Sequence, residues 1–209
     1  IPLVKKLILS KQFSSLERLN MEEFYSYKEV SKSSKIENEQ IDNSKILIEK
    51  AFQYHSKGDL KNAEKYYQRF IKKGYIDSRV LSNYGVICNT LGRKDEAKKL
   101  YLKSIDLYPE NADAYSNLAV LLEKERKLDE AVIYAEKAVR LKPNMSISHF
   151  VHASILKSMN KLIEARNETL KAIKLNPQFA EAYLHLGAIN TEMGRLEEAE
   201  ENTRKAIDL

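Results

Sequence analysis

The chain carries a single cysteine, Cys88, among its 209 residues. No disulfide can form within it, which excludes a cystine-stapled secreted scaffold and favours a reducing compartment, the cytoplasm. Glycine and proline are scarce, at 6 and 4 residues, which argues against a turn-rich all-β fold. No apolar run approaches the roughly 20 residues that a membrane-spanning helix needs. The opening stretch "IPLVKKLIL" is broken by Lys5 and Lys6 and does not read as a secretory signal. A glycine-rich phosphate loop and a nucleophile elbow are also missing. With no convergent catalytic set, neither an enzyme activity nor a cofactor is expected.

What remains is a helix former's composition. Charged residues make up 31% and apolar ones 43%, enough for a packed core under a solvated exterior. The net charge of +5 raises the question of nucleic acid, and its placement answers it. The segments 44–77, 78–111, 112–145, 146–179 and 180–209 carry +4, +2, 0, +3 and −4, and residues 1–43 are neutral. That is a gradient rather than the continuous basic stripe of a nucleic-acid binder, so no nucleic-acid partner is expected.

These segments follow a strict metre. "SNYGVICNTLGRKDEA" at 82–97 returns as "SNLAVLLEKERKLDEA" at 116–131, 34 residues later, and five copies begin at Ser44, Ser78, Ala112, Ser146 and Ala180. The eighth place is always small: Ala51, Gly85, Ala119, Ala153 and Gly187. The twentieth is always alanine: Ala63, Ala97, Ala131, Ala165 and Ala199. Pro109, Pro143 and Pro177 hold the thirty-second, where proline stops a helix. Gly58, Gly92 and Gly194 hold the fifteenth, between two helical stretches, where a turn needs positive φ. Arg126 and Asn160 replace glycine there in the third and fourth copies. Within each copy the apolar spacing is i, i+3, i+4, i+7, as in Tyr115, Leu118, Ala119 and Leu122. Each unit therefore reads as two amphipathic helices joined by a short turn.

Five units in phase, with their small, alanine and proline places, resemble the tetratricopeptide repeat family over 44–209. The resemblance implies an all-α fold: antiparallel helix pairs stacked into a right-handed superhelical solenoid, the first helix of each pair lining the concave side. It also implies a non-catalytic scaffold that binds a protein or peptide in its groove. The places expected to face inward are the second, fifth, sixth, ninth and twelfth. Some relatives grip a peptide backbone with asparagine at the sixth place, and Asn83 and Asn117 match that pattern. An amide can donate to a C=O and accept from an N–H, so it can hold any peptide backbone. Val86, Val120 and Phe150 are the expected apolar contacts, Asn89 a further polar one, and Arg79 and Lys157 are expected to select acidic partner residues. Other relatives clamp a chaperone's C-terminal carboxylate with lysine at the fifth place and asparagine at the ninth of their first repeat. Here those places hold Ile48 and Phe52, so that mode is not expected.

Residues 1–43 lack the repeat and read as a leader, with an amphipathic helix in "LVKKLILSKQFSSLERL" and a polar linker over 31–45. The chain starts without Met, and no polar capping helix follows the last repeat, so a longer native chain is expected. Two further expectations arise from this. The array is alternatively the N-terminal substrate-selecting arm of a larger enzyme such as a glycosyltransferase, or its uncapped last repeat mediates self-association. His149 and His152, three apart on one helix, form a metal half-site by spacing. Their fourth and seventh places belong to the repeat core, so ring packing is the expected role and no metal is anticipated. Cys88 falls where other copies hold core residues and reads as a small buried hydrophobe.

Overall fold

The structure is a computed structural model that describes residues 43–209. The leader helix, and all but the end of the polar linker, lie outside the described residues. Ten helices and no strand occur among the described residues. They are α1 (43–56), α2 (Leu60–Lys72), α3 (Ser78–Thr90), α4 (Lys94–Leu107), α5 (Ala112–Lys124), α6 (Leu128–Leu141), α7 (Ser146–Ser158), α8 (Leu162–Leu175), α9 (Ala180–Glu192) and α10 (Leu196–Ile207). The fold is an all-α repeat solenoid. The described residues divide into two compact units at Tyr75–Ile76, the division falling between the helices of the first repeat and those of the second.

All five turns at the fifteenth place share one geometry. Gly58, Gly92 and Gly194 have φ of 73°, 79° and 74°. Arg126 and Asn160 adopt the same left-handed conformation, at 63° and 61°. In each turn the next N–H donates back five residues: Asp59 to Tyr54, Arg93 to Cys88, Lys127 to Leu122, Lys161 to Leu156 and Arg195 to Asn190. These bonds close the last turn of the first helix and satisfy carbonyls that would otherwise lack a partner. The second helices of repeats two to four end at Leu107, Leu141 and Leu175, two residues before each proline. Proline disfavours helical backbone in the residue ahead of it, which sets that end.

In the first unit α1 meets α2 through Ala51, Ala63 and Tyr67, all fully buried. The ring of Phe52 lies 6.0 Å from that of Tyr67. Asp59 caps α2, accepting from the Asn62 N–H at 3.1 Å and from its side-chain amide at 2.7 Å. In the second unit each first helix packs mainly on the second helix of its own repeat, and that helix then meets the next repeat. The alanines of the twentieth place are buried throughout. Cys88 is fully buried. In repeats two and five the eighth place faces the twenty-fourth across the hairpin, and in repeat two this leaves no room for a methyl group. A Cβ on Gly85 would lie 2.4 Å from Cε1 of Tyr101.

Candidate functional site

Within 76–209 the first helices also touch one another in order, α3 with α5, α5 with α7, and α7 with α9. Their shared face carries the residues singled out from the sequence. The structure splits the Ser-Asn pairs. Ser82 is buried, and its hydroxyl lies 3.1 Å from that of Ser104. The Asn111 amide donates to the Ser78 carbonyl, the Ser82 hydroxyl and the Ser104 hydroxyl at 2.9, 2.9 and 3.0 Å. Ser116 is likewise buried, its hydroxyl 3.5 Å from that of Ser148. Both serines therefore belong to packing between helices, not to an open face. The adjacent asparagines differ. Asn83 and Asn117 are half-buried, and neither side-chain amide bonds to another group among the described residues. A half-buried amide with open donors and acceptors is poised for a ligand that supplies them.

The other inward places follow. Val86, Asn89, Val120 and Phe150 are half-buried. The Phe150 ring lies 5.0 Å from Phe179 and 5.3 Å from His185, making an aromatic floor at repeats four and five. Ile147 and Leu184, at inward places of the same two repeats, are 41% and 50% exposed. At the sixth place of those repeats stand Val151, buried, and His185, whose Nδ1 lies 3.1 Å from the Thr169 hydroxyl. Burial pushes the His185 ring down to about 4, with Lys157 adding to the shift and Glu192 opposing it. The face thus changes from amide-bearing at repeats two and three to apolar at repeats four and five.

The cations expected to select acidic partners are already matched within the chain. Arg79 donates from Nε and Nη2 to Asp77, at 3.1 and 2.8 Å. Lys157 Nζ lies 2.5 Å from Glu192. Asp77 caps α3 at the same time, accepting from the Arg79 N–H at 2.8 Å. The sequence reading missed Glu123, at the twelfth place of repeat three. Its Oε1 accepts from the Ser154 and Ser158 hydroxyls at 2.9 and 2.7 Å. Partners 31 and 35 residues away leave no local signal in the sequence.

Of the histidine pair, His149 is held by the protein itself, while His152 is buried with its Nδ1 3.7 Å from Glu168 Oε2. His149 Nε2–H donates to the Pro143 carbonyl at 2.9 Å, and its Nδ1 lies 2.7 Å from Glu168 Oε2. Among the described residues no group of three or more His, Cys, Asp or Glu is arranged to hold a metal. No described helix is long and apolar enough to cross a membrane.

Comparison with known proteins follows the architecture. The family model described as the middle TPR-like domain of cilia and flagella-associated protein 70 matches residues 47–159. A tetratricopeptide repeat model matches residues 169–201. Among solved structures, a crystal structure of MamA superposes with a TM-score of 0.62 at 22% identity, over 76% of this chain and 92% of that one. MamA 41-end from Desulfovibrio magneticus RS-1 gives 0.65 at 20% identity, over 80% of this chain and 95% of that one. No curated protein sequence matches. The 34-residue metre, the five identical turns and a family model spanning more than half of the sequence agree: the chain belongs to the tetratricopeptide repeat family.

Proposed function

We propose that the chain is a non-catalytic interaction module that holds an extended segment of a partner protein along the first helices of repeats two to five. Asn83 and Asn117 grip the segment's backbone. Val86, Val120 and Phe150 contact its side chains, and Asn89 adds a polar contact at the far end of α3. The observation that carries this reading is the pair of half-buried amides, at the same place of consecutive repeats, with no side-chain bond to another group among the described residues. An array of helix hairpins presents such residues in a row, so one ligand can meet several repeats at once. The MamA proteins share the fold, and fold alone does not name a ligand. The single buried Cys88 supports a cytoplasmic setting.

The test is selection of a random-sequence peptide display library on the full chain and on the Asn83→Ala/Asn117→Ala variant. Enrichment on the parent is expected, with binding weakened by about 2 kcal/mol in the variant, roughly 30-fold, for loss of two or more backbone bonds. Equal affinity for both proteins refutes the role of the asparagines. A parent that enriches nothing refutes the peptide-binding reading.

A further inference from the structure

We infer that Glu123 sets the specificity of this face, taking a lysine or arginine side chain of the bound segment. The inference rests on the peptide-binding reading above and adds a charge requirement to it. Three observations converge on this carboxylate. It is half-buried on α5, on the same helix as Asn117 and six residues further along, about 9 Å by the helical rise. It is held in place from the neighbouring repeat, since the Ser154 and Ser158 hydroxyls of α7 both donate to Oε1. And its charge is left unmatched, because those donors are neutral and it forms no ion pair among the described residues.

The contrast with its neighbours is what makes this specific. Asp77 has Arg79 at 2.8 Å, Asp113 has Lys142 at 3.5 Å, and Glu192 has Lys157 at 2.5 Å. The first-helix acids with cations beside them offer a ligand little. Glu123 offers a full negative charge whose Oε1 is already anchored, with Oε2 open. An incoming ammonium or guanidinium finds the carboxylate already oriented, so little side-chain freedom remains to be lost. Partial burial shields the contact from salt better than an exposed pair would be shielded. Charge complementarity therefore favours a basic partner residue, where the sequence had pointed to acidic ones. It also disfavours a nucleic-acid strand, whose phosphates would meet like charge.

The experiment uses peptides enriched on the full chain by the library selection, each paired with a copy whose Lys or Arg is replaced by norleucine. Titration calorimetry or fluorescence anisotropy follows binding. On the parent protein, replacing the basic residue is expected to weaken binding on the order of tenfold, the value of a charge-assisted hydrogen bond. Raising salt from about 0.05 to about 0.5 M is expected to reduce that discrimination. In Glu123→Gln the two peptides are expected to bind alike. Glutamine keeps an oxygen for the two serines, so thermal melting is expected to stay at the parent value. Enriched peptides with no Lys or Arg preference overturn the inference, and so does a Glu123→Gln variant that still discriminates tenfold. In both cases binding that depends on Asn83 and Asn117 leaves the peptide reading standing. A parent that enriches nothing removes both. The paired peptides test the inference on the unmutated protein, independently of how the variant folds.

Discussion

Replacing Gly85 by alanine adds one methyl group to a buried helix interface. The Cβ would lie 2.4 Å from Cε1, 2.8 Å from Cδ1 and 3.0 Å from Cζ of Tyr101. Carbon atoms in contact stay about 3.5–4.0 Å apart, so the ring must retreat by roughly 1 Å. It has little room to do so, being only 1% exposed between α3 and α4. Overpacking of this kind costs about 1–3 kcal/mol. Alanine recovers about 1 kcal/mol as the better helix former. Given a contact this short, the upper end of the cost applies, and the net destabilisation is about 2 kcal/mol. For a chain of this size each 1 kcal/mol moves the melting midpoint by about 2–4 °C, so a fall of roughly 4–8 °C is expected. Circular dichroism at 222 nm, with heat and with urea, reads it. Gly187→Ala is the internal comparison. Its Cβ would meet the Thr203 hydroxyl at 2.7 Å and the Ala199 carbonyl oxygen at 3.2 Å; Thr203 is exposed and can turn away for the loss of its one bond to the Ala199 carbonyl, so a smaller loss is expected. A Gly85→Ala protein as stable as the parent would show that α3 and α4 can separate to admit a methyl group, and would refute the argument from close approach.

Two further outcomes are expected. Arg126 holds φ at 63°, where a side chain beyond glycine costs about 1 kcal/mol. Arg126→Gly should therefore raise stability by about 1 kcal/mol, and Asn160→Gly by less because asparagine tolerates this region. An unchanged urea midpoint for Arg126→Gly would contradict the strain. The His185 ring is pushed down to about 4 by burial, against an ordinary 6.5. The unfolded chain therefore takes up a proton that the folded chain refuses. Stability from this group is full above 6.5 and falls as the pH drops toward 4, by at most about 3 kcal/mol. Urea midpoints at about pH 7 and about pH 4.5 should show a flatter dependence for His185→Gln. An unaltered slope would move the effect elsewhere, first to His152, which burial also lowers.

The fold was largely legible because its determinants repeat. The alanines of the twentieth place and the small eighth place recur at a fixed interval, so each copy corroborates the others. The prolines mark where second helices end for the same reason. Arg126 and Asn160 show the limit. Their residue types read as a tolerant turn, yet the backbone there is the glycine backbone, held by the same closing bond as in the other repeats. The site was legible only in part. Asn83 and Asn117 stand out by their place in the metre, and both are half-buried in the structure. Ser82 and Ser116 carried the same sequence signal and turned out to be buried between helices. That separation depends on Ser104, Asn111 and Ser148, which only folding brings near. The ion pairs of Arg79 with Asp77 and of Lys157 with Glu192 depend on rotamers and neighbours that the sequence does not give. The twelfth place put Glu123 on the inward face, but its anchoring could not be read because its two serines lie a whole repeat away.

The junction at Asn111 has a consequence beyond stability. Its amide reaches Ser78, Ser82 and Ser104, and all four residues fall within 78–111. The latch and everything it closes on are thus encoded in one contiguous stretch of gene. Duplication or excision cut at those ends would carry the closure along intact. A breakpoint at the hairpin turn, near Gly92, would separate Ser82 from both Ser104 and Asn111 and strand the amide. For this repeat the transferable genetic module is the whole hairpin with its trailing asparagine, and not the single helix.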